Sequence, residues 1–207
     1  MRHPVDKSEK VSSDVMRLSA LPENLWELTL TDASAMLRHR QITSRKLVET
    51  WLSRIADFSQ LNAFISVDAA AALKQADSYD QYLEAGGDPL PLGGVPIAVK
   101  DNIQVVGFAN TAGTPALSKF FPKRNARVIE PLLKAGAIVV GKTNMHELAF
   151  GTSGYNTAFH SPGVIGVRNA FDHSCSAGGS SSGSGSAVGA RLVPAALGTD
   201  TGGSIRQ

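Results

Sequence analysis

Two features of this 207-residue chain predict an α/β fold. Beyond residue 89 short apolar runs alternate with helical segments, and Ala137-Ile138-Val139-Val140 is apolar without a break, as in a strand buried on both faces. Ahead of that boundary, apolar residues recur at helical spacing behind capping residues, the pattern of helices that cover a sheet.

Taken in order, residues 1–24 are polar and read as a loose N-terminal arm. Thr31 or Asp32 is the expected cap of a short helix through about Arg40. Ser44 is the expected cap of a longer one, whose Leu47, Val48, Trp51, Leu52, Ile55 and Phe58 share a face. Such a stripe is core rather than chemistry. Asn62 to Val67 reads as a strand, and the alanine-rich segment from Ala69 to about Glu84 as a helix stopped by Gly86-Gly87-Asp88-Pro89. Val95 to Val99 is the next strand and runs into Lys100; Arg127 to Ala135 is helical, with Gly136 as its terminator. From Gly151 to Gly203 small residues dominate, with a loop near Ser161-Pro162-Gly163 and helical potential from about Gly185 to Arg191. Glycine and serine at this density also occur in flexible linkers, but Val188, Leu192, Val193, Ala195, Ala196 and Leu197 give the segment something to bury.

Composition narrows the function classes. The chain is 43% hydrophobic and 18% charged, an ordinary globular balance. A net charge of +2 with no clustered Lys/Arg run gives no footprint for nucleic acid or an anionic membrane. No run approaches the roughly 20 apolar residues of a membrane-spanning helix. A single cysteine, Cys175, excludes an internal disulfide and is expected to be buried packing; without a signal-peptide pattern, the expected location is cytoplasmic. The expected partner is a small molecule, and a homo-oligomer stays open.

Chemistry concentrates in two glycine-serine runs, Gly178-Gly179-Ser180-Ser181-Ser182-Gly183-Ser184 and Gly198-Thr199-Asp200-Thr201-Gly202-Gly203-Ser204-Ile205-Arg206. Glycine lets the backbone approach a ligand, and serine supplies a nucleophile or proton relay once a base activates it. None of the five histidines (His3, His39, His146, His160, His173) sits in a recognised base motif, and none pairs at metal-ligand spacing. Lys100, at the end of an apolar strand, is the better base, because burial disfavours its ammonium form. The competing reading pairs it with Asp101 or another carboxylate.

Gly94-Val95-Pro96-Ile97-Ala98-Val99-Lys100-Asp101-Asn102, Gly141-Lys142-Thr143-Asn144-Met145 and the two glycine-serine runs resemble, in order and spacing, the amidase signature family, over residues 25–207. The stretch is most similar to the family's arylacetamide hydrolases. The resemblance implies a mixed central sheet flanked by helices and a Ser–Ser–Lys triad. Ser204 maps to the nucleophile, Ser180 to the relay serine held by a cis peptide bond, and Lys100 to the base. The backbone N–H groups of Thr201, Gly202, Gly203 and Ser204 map to the oxyanion hole. Ser181, Asp200 and Arg206 map to supporting positions, and Phe150, Gly151, Thr152 and Ser153 to the acyl pocket.

The implied reaction is hydrolysis of a small primary arylacetamide, with mandelamide the expected substrate, through an acyl-enzyme and with no metal or organic cofactor. Alternatives are an indoleacetamide hydrolase, the amidase subunit of a glutamine-dependent amidotransferase, and a binding module that keeps the fold without chemistry. Two departures stand out. Ser182 occupies a position where the family has glycine, and family domains run to well over twice this length, which implies that residues 25–207 are the N-terminal portion of one domain.

Overall fold

The computed structural model describes residues 21–160 and 162–207. Most of the expected N-terminal arm, His3 with it, and Ser161 of the expected loop lie outside the described residues. Helix α1, Leu30–Arg38, is capped by Thr29, whose hydroxyl oxygen accepts the Asp32 N–H. Thr31 and Asp32 are therefore inside the first turn rather than at the cap. The same displacement recurs at α2, Ser44–Asp57, where Thr43 accepts the Lys46 N–H and Ser44 is the first helical residue. Neighbouring Thr, Asp and Ser compete for one capping position, and the chain's entry path decides between them.

Strand β1, Phe64–Val67, leads through the Asp68 cap into α3, Ala69–Glu84, which has the predicted bounds. Strand β2, Pro96–Lys100, is buried at every position. Helix α4, Ile129–Lys134, is shorter than predicted; Ala135 caps it and Gly136, at φ +88°, turns the chain away. Strand β3, Ile138–Thr143, carries the predicted apolar run three residues further, through Gly141 and Lys142. Helix α5 spans Ser182–Gly189, and a short strand β4, Ala196–Leu197, is formed where only burial was anticipated.

The four strands form one sheet in the order β1-β3-β2-β4. β1 is antiparallel to β3, whereas β2 runs parallel to both β3 and β4, so the sheet is mixed as expected. Alternate residues feed opposite faces. Ala98, Ile138 and Val140 pack with Val48, Ile55 and Ala76 from α2 and α3 and with Ala187 from α5. Ile97, Val99 and Val139 pack with Ile129 of α4. A third group, centred on Trp51, Met36 and Leu47, joins α1 to α2. Continuous burial of β2 and β3 explains why these two strands lack polar alternation, and it delivers Lys100 and Lys142 into the interior.

Helix α5 lies so close to β1 and β3 that a Cβ on Gly183 would overlap the Ala63 carbonyl oxygen and the Asn144 backbone. The Gly183 N–H donates to the Asn144 carbonyl at 2.9 Å, and the Thr143 and Ser184 hydroxyls meet at 2.7 Å. At the other end, Arg54 of α2 donates to the Ala190 and Arg191 carbonyls while its guanidinium stacks over Trp26 and Phe58, 4.0 and 4.7 Å from the ring centres. The helix that follows Ser180 is thus clamped at both ends.

Candidate active site

Lys100 closes β2 with 0% of its surface exposed, and its Nζ reaches three hydroxyl oxygens: Ser180 at 2.8 Å, Ser181 at 2.9 Å and Thr199 at 2.7 Å. No carboxylate lies within ion-pair distance of it among the described residues. The Asp101 partner considered from the sequence belongs instead to Lys142, at 3.3 Å. Burial pulls the Lys100 amine down to about 8, against the weaker opposing pull of the Asp200 charge.

Ser180 follows a cis peptide bond from Gly179 and is itself fully buried. Its carbonyl accepts the His146 N–H at 3.2 Å, which ties it to the segment after β3. Ser181 connects three parts of the site: its hydroxyl accepts from Lys100, donates to the Thr199 carbonyl at 3.0 Å, and accepts the Thr199 N–H at 3.2 Å. Its own N–H donates to the Ser204 carbonyl at 2.9 Å. The two glycine-serine runs, far apart in sequence, are therefore laced together at the end of β2. Ser204 arrives through this backbone link; among the described residues its hydroxyl makes no hydrogen bond.

Asp200 shapes the turn that carries Ser204. Its carboxylate accepts the Gly203 N–H at 2.7 Å and the Ile205 N–H at 3.3 Å, and Arg206 pairs with it at 2.9 Å. The Arg206 hydrogen bond and these N–H donors hold its carboxyl well below the usual carboxylate range. Gly203, at φ +120°, takes a conformation that disfavours a side chain. One of the four expected oxyanion donors is thus already engaged by Asp200, leaving the N–H groups of Thr201, Gly202 and Ser204 free of a partner among the described residues.

The segment 150–154 lies over the Gly178-Gly179 run: a Cβ on Gly179 would meet the Gly154 backbone at 2.8 Å and the Thr152 carbonyl carbon at 3.4 Å. Gly151 packs on the His146 ring, and Ser153 lies 3.5 Å from its Nδ1. Phe150 is 87% exposed beside this run. Cys175 is exposed, against expectation, because Asp172 and Ser174 hold it on a surface turn rather than in the core. Ser182 is the first helical residue of α5 and needs no positive φ, so serine in place of glycine there brings no backbone strain.

Thr199 and Lys142 were not singled out from the sequence. Thr199 accepts from both Lys100 and Asn102, and Lys142 neutralises a buried carboxylate one residue after Lys100. Both lie inside the four motif runs, and that membership was the available signal.

The profile of the amidase family matches residues 46–207. The chain belongs to the amidase family. Mandelamide hydrolase of Pseudomonas putida is 87% identical over all 207 residues, and the chain spans 41% of that protein. A glutamyl-tRNA(Gln) amidotransferase subunit from Chromohalobacter salexigens is 47% identical over 184 residues, covering 88% of this chain and 37% of that one. Among solved structures, the peptide amidase of Stenotrophomonas maltophilia superposes with a TM-score of 0.78 at 36% identity, over 86% of this chain and 37% of that amidase. The chain thus spans about two fifths of the length of the curated relatives it matches, and the mixed sheet with flanking helices is an amidase arrangement.

Proposed function

We propose that residues 25–207 form part of a single amidase domain that hydrolyses a small primary arylacetamide, mandelamide foremost, to the carboxylic acid and ammonia. The observation that carries this reading is the buried Lys100 amine, 2.8 Å from the Ser180 hydroxyl and with hydroxyl and carbonyl partners in place of a carboxylate. A buried lysine without a counter-ion favours its neutral form, which is the form a base requires.

In the proposed reaction neutral Lys100 takes the Ser180 proton as Ser180 takes that of Ser204. The Ser204 oxygen bonds to the amide carbon, and the carbonyl oxygen becomes an oxyanion facing the N–H groups of Thr201, Gly202 and Ser204. Gly203, engaged by Asp200, holds the turn instead. The relay returns the proton to nitrogen, the C–N bond breaks, and ammonia leaves an ester on Ser204. Water then repeats the path and releases the acid. Ser181, Asp200 and Arg206 brace the two runs, and Phe150, Gly151, Thr152 and Ser153 border the acyl group. The 87% identity to mandelamide hydrolase favours mandelamide over glutamine. The proposed setting is cytoplasmic, where an exposed thiol such as Cys175 stays reduced. No helix among the described residues is long and apolar enough to cross a membrane.

The test is ammonia release by the complete gene product from mandelamide, phenylacetamide, indoleacetamide and glutamine. Preference for mandelamide or phenylacetamide is expected. Release mainly from glutamine would assign the protein to the amidotransferases, and release from none to a binding role.

A further inference from the structure

Three charge-bearing side chains, Lys100, Asp101 and Lys142, are buried together where β2 ends beside β3. Register and strand alternation separate them. Lys142 pairs with Val99 and Thr143 with Lys100, so Lys142 and Asp101 share the sheet face opposite Lys100. On that face the Lys142 ammonium lies 3.3 Å from the Asp101 carboxylate and 3.4 Å from the Ala109 carbonyl and the Asn110 side-chain oxygen. The other carboxylate oxygen accepts the Thr111 and Gly113 N–H groups, at 2.9 and 3.3 Å, and the Thr111 hydroxyl. The Asp101 carboxylate thus keeps donors that do not depend on Lys142.

We propose that Lys142 is a positioning residue for the proton relay: by cancelling the Asp101 charge it leaves Lys100 without a counter-ion and so free to act as the neutral base. The inference rests on the assignment of Lys100 as base. The hydrogen-bond partners divide the two lysines, since Lys142 has the carboxylate and Lys100 has hydroxyls and one carbonyl. Were Lys142 uncharged, Asp101, next to Lys100 in the chain, would lose its cation, and its charge would favour the protonated amine. The other charged groups around Lys100 are the same in every Lys142 variant: Asp200, on the Ser204 turn, favours the protonated amine more weakly than burial disfavours it and is paired with Arg206, and the segment after β3 contributes His146 through its backbone N–H to Ser180.

The experiment is the pH profile of kcat/KM for mandelamide with the complete gene product and its Lys142→Gln, Lys142→Met, Lys142→Arg and Asp101→Asn/Lys142→Met variants. In both uncharged Lys142 variants the rise of activity should move by at least about one pH unit to the alkaline side, the size expected for one uncompensated charge within roughly 12 Å at an effective dielectric near 20. The arginine variant and the double variant, which restore neutrality, should return the midpoint to that of the parent. Gln, able to hydrogen-bond Asp101, keeps a soluble test if Met does not fold. An unshifted midpoint in either uncharged variant overturns the proposal, as does a shift that persists in the double variant. A Lys100→Ala control separates the two readings: turnover surviving there would refute the base assignment itself, whatever Lys142 does.

Discussion

Lys100, Ser180 and Ser204 carry different burdens, and their substitutions should fail in related ways. Lys100→Ala and Ser180→Ala break a buried relay whose members lie 2.8 Å apart, and each should lower kcat by at least about 10⁴-fold. Circular dichroism on the same samples checks that the fold survives. Lys100 also sets the pH dependence. Its amine, lowered from the ordinary 10.5 to about 8 by burial, must be neutral to accept a proton, so kcat/KM should rise with pH and reach half its plateau near 8. The stability sign follows from the same shift. Between about 8 and 10.5 the unfolded chain binds the proton that the folded one has lost, so this group adds stability as pH rises through that window. At this scale the sequence was informative, because Lys100, Ser180 and Ser204 lie in recognisable runs. The pairing of Asp101 with Lys142 was not legible, since strand register brings residues 41 positions apart into contact and nothing local records it.

Elements decide whether these residues meet. The α5 helix places Ser180 and Ser181 against β2 only because Gly183 lets it settle on β1 and β3. Gly183→Ala, which forces a Cβ into the Ala63 carbonyl oxygen, should cost about 1–3 kcal/mol and lower the thermal midpoint by several degrees, read by calorimetry. Arg54→Ala, which removes two hydrogen bonds at the far end of α5 and the stacking on Trp26 and Phe58, should destabilise by about 1–2 kcal/mol in denaturant unfolding. Helix α3 was legible because an alanine-rich run ends at a Gly-Gly stop. The start of α5 was missed because serine and glycine have poor helix propensity, and tertiary packing rather than sequence preference makes Ser182–Gly189 helical.

The whole molecule joins a parallel pair, β2 and β3, with an antiparallel β1 and a short β4 on the outer edges. That order gathers the catalytic candidates at one end of the sheet: Lys100 ends β2, Ser180 precedes α5, and the Ser204 turn follows β4. Strand alternation with helices was readable from residue 89 onward, whereas the place of β4 was not, because a two-residue strand gains its identity only from its partner. Ser204 is the residue on which the acyl-enzyme account depends. The most direct measurement is the rate of ammonia release from mandelamide by the complete gene product beside its Ser204→Ala variant. The account predicts loss of turnover by at least about 10⁴-fold in a protein that still folds; a Ser204→Ala enzyme that keeps a substantial part of the parent rate would contradict it.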